Sequence, residues 1–236
     1  GYASQTVTGV HTRRYHGLLF AALRPPTDRT LLLSTVVESL TIGDQSFPFS
    51  HHRYKAGNHT ASTYLTGFRL DPYPVWSYEI DGVEIEKSLF MIPGENTAVI
   101  QYSVIDNPKK KSLALTLSPL MAFRDLNELK REDTTIKLSA HTSESMLVME
   151  HSGMTLALSH NASQVDPHEY WYRDFLLTEE QARGHDCEED LFACATFTFT
   201  LSKKEPAFIV ADATKRAWSK AEIKAAEKKR RQGAEV

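Results

Sequence analysis

The residues best suited to chemistry stand in one run near the start of the chain, Thr12-Arg13-Arg14-Tyr15-His16-Gly17-Leu18-Leu19. Two guanidiniums, a phenol and an imidazole precede an apolar strand, where a loop aims such groups together. Arginine forks and aromatic faces grip hydroxyl-rich ligands, because a sugar presents both a ring of hydrogen-bonding groups and an apolar C–H face. The alternative is structural: Arg13 and Arg14 pair with carboxylates while Tyr15 packs at a strand end. Arg124 and Asp125, after Phe123 at the end of another strand, raise the choice between an orienting salt bridge and part of a ligand rim.

Carboxylates gather at Asp186, Glu188, Glu189 and Asp190. Paired carboxylates are what glycoside hydrolysis requires. Adjacent acids on a loop point in different directions, however, and more often form a solvated or salt-bridged patch. His51, His52 and His59 have loop spacing without a carboxylate or cysteine in ligand order, so no metal site is expected. A Gly-rich phosphate loop, a nucleophile elbow and a Ser/His/Asp arrangement are all absent. The residues themselves therefore call for no cofactor.

The chain that must position these groups has 236 residues, 41% hydrophobic and 24% charged, enough for one large domain or two small ones. A net charge of −3 gives no reason to expect nucleic acid, so a neutral or small ligand fits better. Two cysteines, Cys187 and Cys194, do not make a disulfide framework and favour the cytoplasm. No apolar run reaches the roughly 18 residues of a membrane span. Gly1-Tyr2-Ala3-Ser4 reads as the middle of a loop, as in a fragment of a longer protein.

Period-two alternation dominates and predicts half-buried antiparallel strands. Leu113, Leu115 and Leu117 share one face, and Phe197, Phe199 and Leu201 share another. Residues 75–91 form a hairpin turning at Asp81-Gly82, and residues 30–49 another turning at Gly43-Asp44. Further strands at 97–104, 146–150, 154–160 and 208–212 bring the number to about a dozen, an all-β fold built as a large antiparallel β-sandwich. Only 178–183 and 217–229 read as helical. The sandwich is expected over residues 1–212 and a helical linker over 213–236. Trp218, Ala221, Ile223 and Ala225 make a poor stripe on that helix, which needs a partner surface, expected from a following domain.

Several motifs, in order along most of the chain, carry a family resemblance. Gly1-Tyr2-Ala3-Ser4, the run from Thr12 to Leu19, Phe68-Arg69-Leu70-Asp71-Pro72, Pro119-Leu120-Met121-Ala122-Phe123-Arg124-Asp125, Tyr172-Arg173-Asp174-Phe175 and Glu180-Gln181-Ala182-Arg183-Gly184-His185-Asp186 all contribute. Together they resemble the N-terminal domain of bacterial and archaeal glycogen debranching enzymes. The sequence departs from that pattern at His185, where an aliphatic residue is expected, and at Ala193-Cys194-Ala195, where a Pro-Gly turn is expected. The resemblance implies a super-sandwich domain preceding an (α/α)6 barrel that holds the amylo-α-1,6-glucosidase acids. This chain alone would then be inactive, and its partners would be that barrel and an α-glucan, glycogen or limit dextrin. Arg13, Arg14, Tyr15, His16, Arg124 and Asp125 would lie at the substrate or barrel interface. A freestanding carbohydrate-binding module and a mutarotase-like enzyme remain alternatives, the latter needing an acid and base of its own.

Overall fold

The structure, a computed structural model, describes residues 1–25, 27–59, 62–136 and 141–232. In chain order the strands are β1 (Tyr2–Ser4), β2 (Gly17–Arg24), β3 (Asp28–Ile42), β4 (Gln45–Pro48), β5 (His52–Tyr54), β6 (Gly57–His59), β7 (Leu65–Leu70), β8 (Pro74–Ile80) and β9 (Val83–Met91). They continue with β10 (Thr97–Asp106), β11 (Leu113–Asp125), β12 (His141–Ser143), β13 (Met146–His151), β14 (Met154–His160), β15 (Gln164–Leu176), β16 (Glu188–Thr200) and β17 (Ala207–Asp212). Helix α1 (Thr178–Ala182) joins β15 to β16, and α2 (Lys220–Gln232) follows β17.

Among the described residues all strand pairing is antiparallel, in two sheets. One runs β1-β2-β3-β11-β16-β15-β5-β6, with β4 also on β3; the other runs β12-β13-β14-β17-β10-β9-β8-β7. Alternation supplies the core between them: Val36, Leu40, Leu115, Leu117, Phe197 and Phe199 from the first sheet pack with Ile80, Ile85, Leu89, Ile100, Leu158 and Ile209 from the second. The all-β sandwich expected from the sequence is what the chain forms. Asp81 and Gly82 both take positive φ, 48° and 74°, between paired Ile80 and Val83, the primed turn that the Asp-Gly pair predicts.

Three differences from the sequence reading have physical causes. Tyr2–Ser4 is a strand rather than loop, because Tyr2 pairs with Phe20 and stacks on its ring at 4.6 Å. Strand β15 carries no period-two signal, since Phe175 is its only fully buried side chain and backbone pairing to β16 holds the rest. Residues 193–195, where the sequence departs from the Pro-Gly turn of the family pattern, lie buried inside β16, paired with β15 and β11.

Helix α2 begins at Lys220 because Ser219 and Glu222 form a capping box: Glu222 N–H donates to Ser219 Oγ at 3.3 Å, and Ser219 N–H to Glu222 Oε2 at 2.9 Å. Its partner surface is the chain's own second sheet. Trp218 and Ile223 cover Tyr73, Val75, Phe90, Val99, Phe208 and Val210 on the face turned away from the core. Trp218 Nε1 also donates to buried Asp212, at 3.0 Å. Residues 233–236 of the expected linker lie outside the described part. Trp218→Ala should therefore uncover an apolar sheet face at a cost of about 3–5 kcal/mol. Urea unfolding of the variant measures this, and a loss below about 1 kcal/mol would show that the Trp218 cover contributes little.

Candidate functional site

The loop holding Arg13, Arg14, Tyr15 and His16 connects β1 to β2, and Gly17 fixes how it enters the sheet. A Cβ at Gly17 would lie 2.3 Å from Leu31 Cδ1, and Leu31 is fully buried. Arg14 is tied on all sides. Its Nη1 donates to the Asn127 carbonyl at 2.7 Å and its Nη2 to the Asp186 carbonyl at 3.2 Å. Its backbone N–H donates to Glu180 Oε1 at 3.2 Å, while Nε stands 3.5 Å from Oε2. Burial pushes the Glu180 carboxyl up, but the Arg14 backbone N–H and the Arg14 and Arg13 guanidiniums outweigh it and hold the group below the ordinary glutamate value.

Arg13 reaches the same carboxylate only loosely, at 3.7 Å, and its side chain is one-third exposed beside the Tyr15 ring. His16 Nδ1 accepts the Thr12 N–H at 3.1 Å, which places its proton on Nε2 when neutral. Burial first, then Arg13, lowers its pKa against the opposing pull of Glu180.

Arg124 and Asp125 separate. Neighbours on a strand point to opposite faces, and a bulge with Phe123 at φ 48° re-aims the chain between Met121 and Arg124. Arg124 is buried and pairs with Glu189, through Nε to Oε1 and through Nη2 to Oε2 at 3.3 Å. Its Nη2 also donates to the Arg14 carbonyl at 2.8 Å. Asp125 is exposed and accepts the Asn127 N–H at 2.8 Å. The orienting salt bridge therefore exists, but Glu189 supplies its acid.

The acidic run is not a loop, since Glu188, Glu189 and Asp190 open β16. Glu188 meets Lys55 and Arg131, each at 2.8 Å, and buried Asp190 accepts the Glu132 and Asp174 N–H groups, each at 2.9 Å. Glu189, on buried Arg124 and the Lys130 N–H, and Asp190 are thus held by buried or backbone donors, whereas the two side chains on Glu188 are themselves exposed. Among the described residues no three His, Cys, Asp or Glu side chains gather as metal ligands, the His59 side chain lying outside the described part.

Sequence reading passed over a second polar cluster. Glu38 and Lys87 occupy core-facing positions of β3 and β9, paired at 2.7 Å, and the Tyr102 hydroxyl donates to Glu38 at 2.5 Å. Gln5, Thr8, Ser50, His51 and Tyr78 line a cavity of about 20 Å3 beside them, and the Trp76 indole donates to the Val7 carbonyl at 2.7 Å. The signal was legible: a charge breaks the alternation Val36, Glu38, Leu40 and again Ile85, Lys87, Leu89.

The model of the glycogen debranching enzyme N-terminal family matches residues 1–208. The chain belongs to that family. No curated protein matches it. A bacterial glucoamylase solved in complex with acarbose resembles it at 10% identity and a TM-score of 0.39, over 88% of this chain and 30% of the glucoamylase. The chain thus spans under a third of that protein's length. Among the described residues of this debranching-enzyme N-terminal domain, no helix is long and apolar enough to cross a membrane.

Removing one member of the core ion pair strands the other, so Lys87→Met should cost about 3–5 kcal/mol, whereas Glu38→Leu with Lys87→Leu should be closer to neutral. Urea midpoints of both variants check this; equal losses would contradict it. Burial holds the imidazoles of His11, His16 and His160 below their ordinary value, His160 down to about 4. Below about pH 6.5 the unfolded chain binds protons that the folded chain refuses, so this stabilisation is complete above 6.5 and lost on acidification. The urea midpoint should fall between pH 7.5 and 5.5, and an unchanged midpoint would refute the assignment.

Proposed function

We propose that this chain is the non-catalytic N-terminal part of a glycogen debranching enzyme, an amylo-α-1,6-glucosidase. In this reading it scaffolds an (α/α)6 barrel that carries the hydrolytic acids, and residues 213–236 lead toward that barrel. Its loops contribute to binding an α-glucan, glycogen or limit dextrin, in glycogen breakdown. The location that goes with this is cytoplasmic, supported by two free thiols.

The observation that carries the reading is that the carboxylates of α1 and of the start of β16 are already engaged. Glycoside hydrolysis needs one carboxyl as acid and another as base or nucleophile, whereas Glu180, Glu189 and Asp190 are buried acceptors for fixed N–H groups. Such a network holds loops in place. Arg14 and Arg124 are its cross-links, and Arg13 with Tyr15 is the part left at the surface.

In the full-length enzyme, Arg13→Ala should lower kcat/KM on a branched limit dextrin roughly 10- to 150-fold, the loss of one charge-assisted hydrogen bond, with Tm almost unchanged. Arg14→Ala should instead lower Tm. If Arg13→Ala leaves kcat/KM intact, the loop does not serve the glucan. Glucose release by the 236-residue chain itself would overturn the non-catalytic assignment.

A further inference from the structure

Arg14 does more than anchor its own loop. Its two terminal nitrogens hold the carbonyls of Asn127 and Asp186, at 2.7 and 3.2 Å, and so clamp together two segments distant in sequence. Between those segments lies a cleft of about 420 Å3 lined by Leu129, Arg131, His185, Asp186, Cys187 and Glu188. That volume falls within the roughly 300–1,000 Å3 of small-ligand sites.

We propose that this cleft is a saccharide subsite, taking one end of a neutral, hydroxyl-rich glucan. The lining carries both signs of charge, from Arg131, Asp186 and Glu188, with an imidazole and the apolar side chain of Leu129. Groups of both signs side by side favour a ligand whose hydroxyls donate and accept at once over an anion or a cation. Arg131 is oriented by Glu188 at 2.8 Å and by Asp190 and Asp174 at 3.5 and 3.6 Å, yet its side chain is half exposed. Its fork keeps donors for a ligand while three carboxylates fix its direction. Arg14 is then a positioning residue that sets the cleft width. The proposal rests on the reading above that this domain touches glucan, and it names the place.

Cys187 lines the cleft and reports on it. The other thiol, Cys194, is buried in β16 with its pKa pushed up to about 12 by burial, so it stays unreactive in the folded chain. Alkylation of Cys187 in the 236-residue chain should slow when maltotetraose is added in the millimolar range, and inorganic phosphate at the same concentration should have no effect. Arg131→Ala should raise the maltotetraose concentration for half-protection about tenfold, with an unchanged circular dichroism spectrum. Protection by phosphate alone would make the cleft an anion site and overturn the proposal. So would an unchanged alkylation rate with maltotetraose, or equal protection in Arg131→Ala. Kinetics of Arg13→Ala in the full-length enzyme test the broader reading separately, so the cleft can fail while the domain's glucan role stands.

Discussion

The buried pair of Arg124 and Glu189 is the interaction on which the loop side of this domain depends. Taking both charges out of water is costly, and the pair persists because its remaining hydrogen-bonding capacity is filled. Arg124 donates to the carbonyls of Arg14 and Asp125, and Glu189 accepts the Lys130 N–H. One guanidinium thus ties the β1–β2 loop and the segment after β11 to the start of β16. The arginine also stands over the Phe20 ring, at the edge of the apolar cluster of Phe20, Leu31, Leu120 and Leu191 on the first sheet's far side.

The core holds a second buried pair, Glu38 with Lys87, which joins the two sheets where a sandwich ordinarily packs hydrocarbon. The Tyr102 hydroxyl and the Lys87 ammonium share Glu38 Oε1, and the ammonium stands 5.9 Å from the Trp76 ring centre and 5.8 Å from that of Tyr102. Both pairs follow one rule, that an interior charge needs a partner. They differ in position. Arg124–Glu189 ties loops at the surface of the first sheet, while Glu38–Lys87 bridges one sheet to the other.

Each sheet is also apolar on the face turned away from the core. Trp218 and Ile223 cover part of the second sheet, and Leu126, Tyr2 and Tyr172 pack on the first. The loops of the candidate site are thereby seated on a packed surface. This lets Arg14 hold two chain segments at a set spacing, a task that loops free in solvent would perform poorly.

The sequence by itself determined the fold class, both tight hairpins and the core rows, because side-chain alternation and Asp-Gly turn chemistry are local properties. It also gathered Arg13 to His16 into one loop and, through motifs spread along the chain, pointed to the family that residues 1–208 match. Only the tertiary structure decided what those residues touch. Arg124 chose Glu189 rather than adjacent Asp125 because consecutive strand residues face opposite ways, and Glu189 arrives from a strand 65 positions later. Arg14 became a clamp between residues 113 and 172 positions away. Strand β15 stayed hidden because its stability comes from backbone pairing to a neighbour, a non-local interaction that leaves no period in the sequence. Partner choice across such distances depends on sheet order and bulges, which residue spacing does not encode.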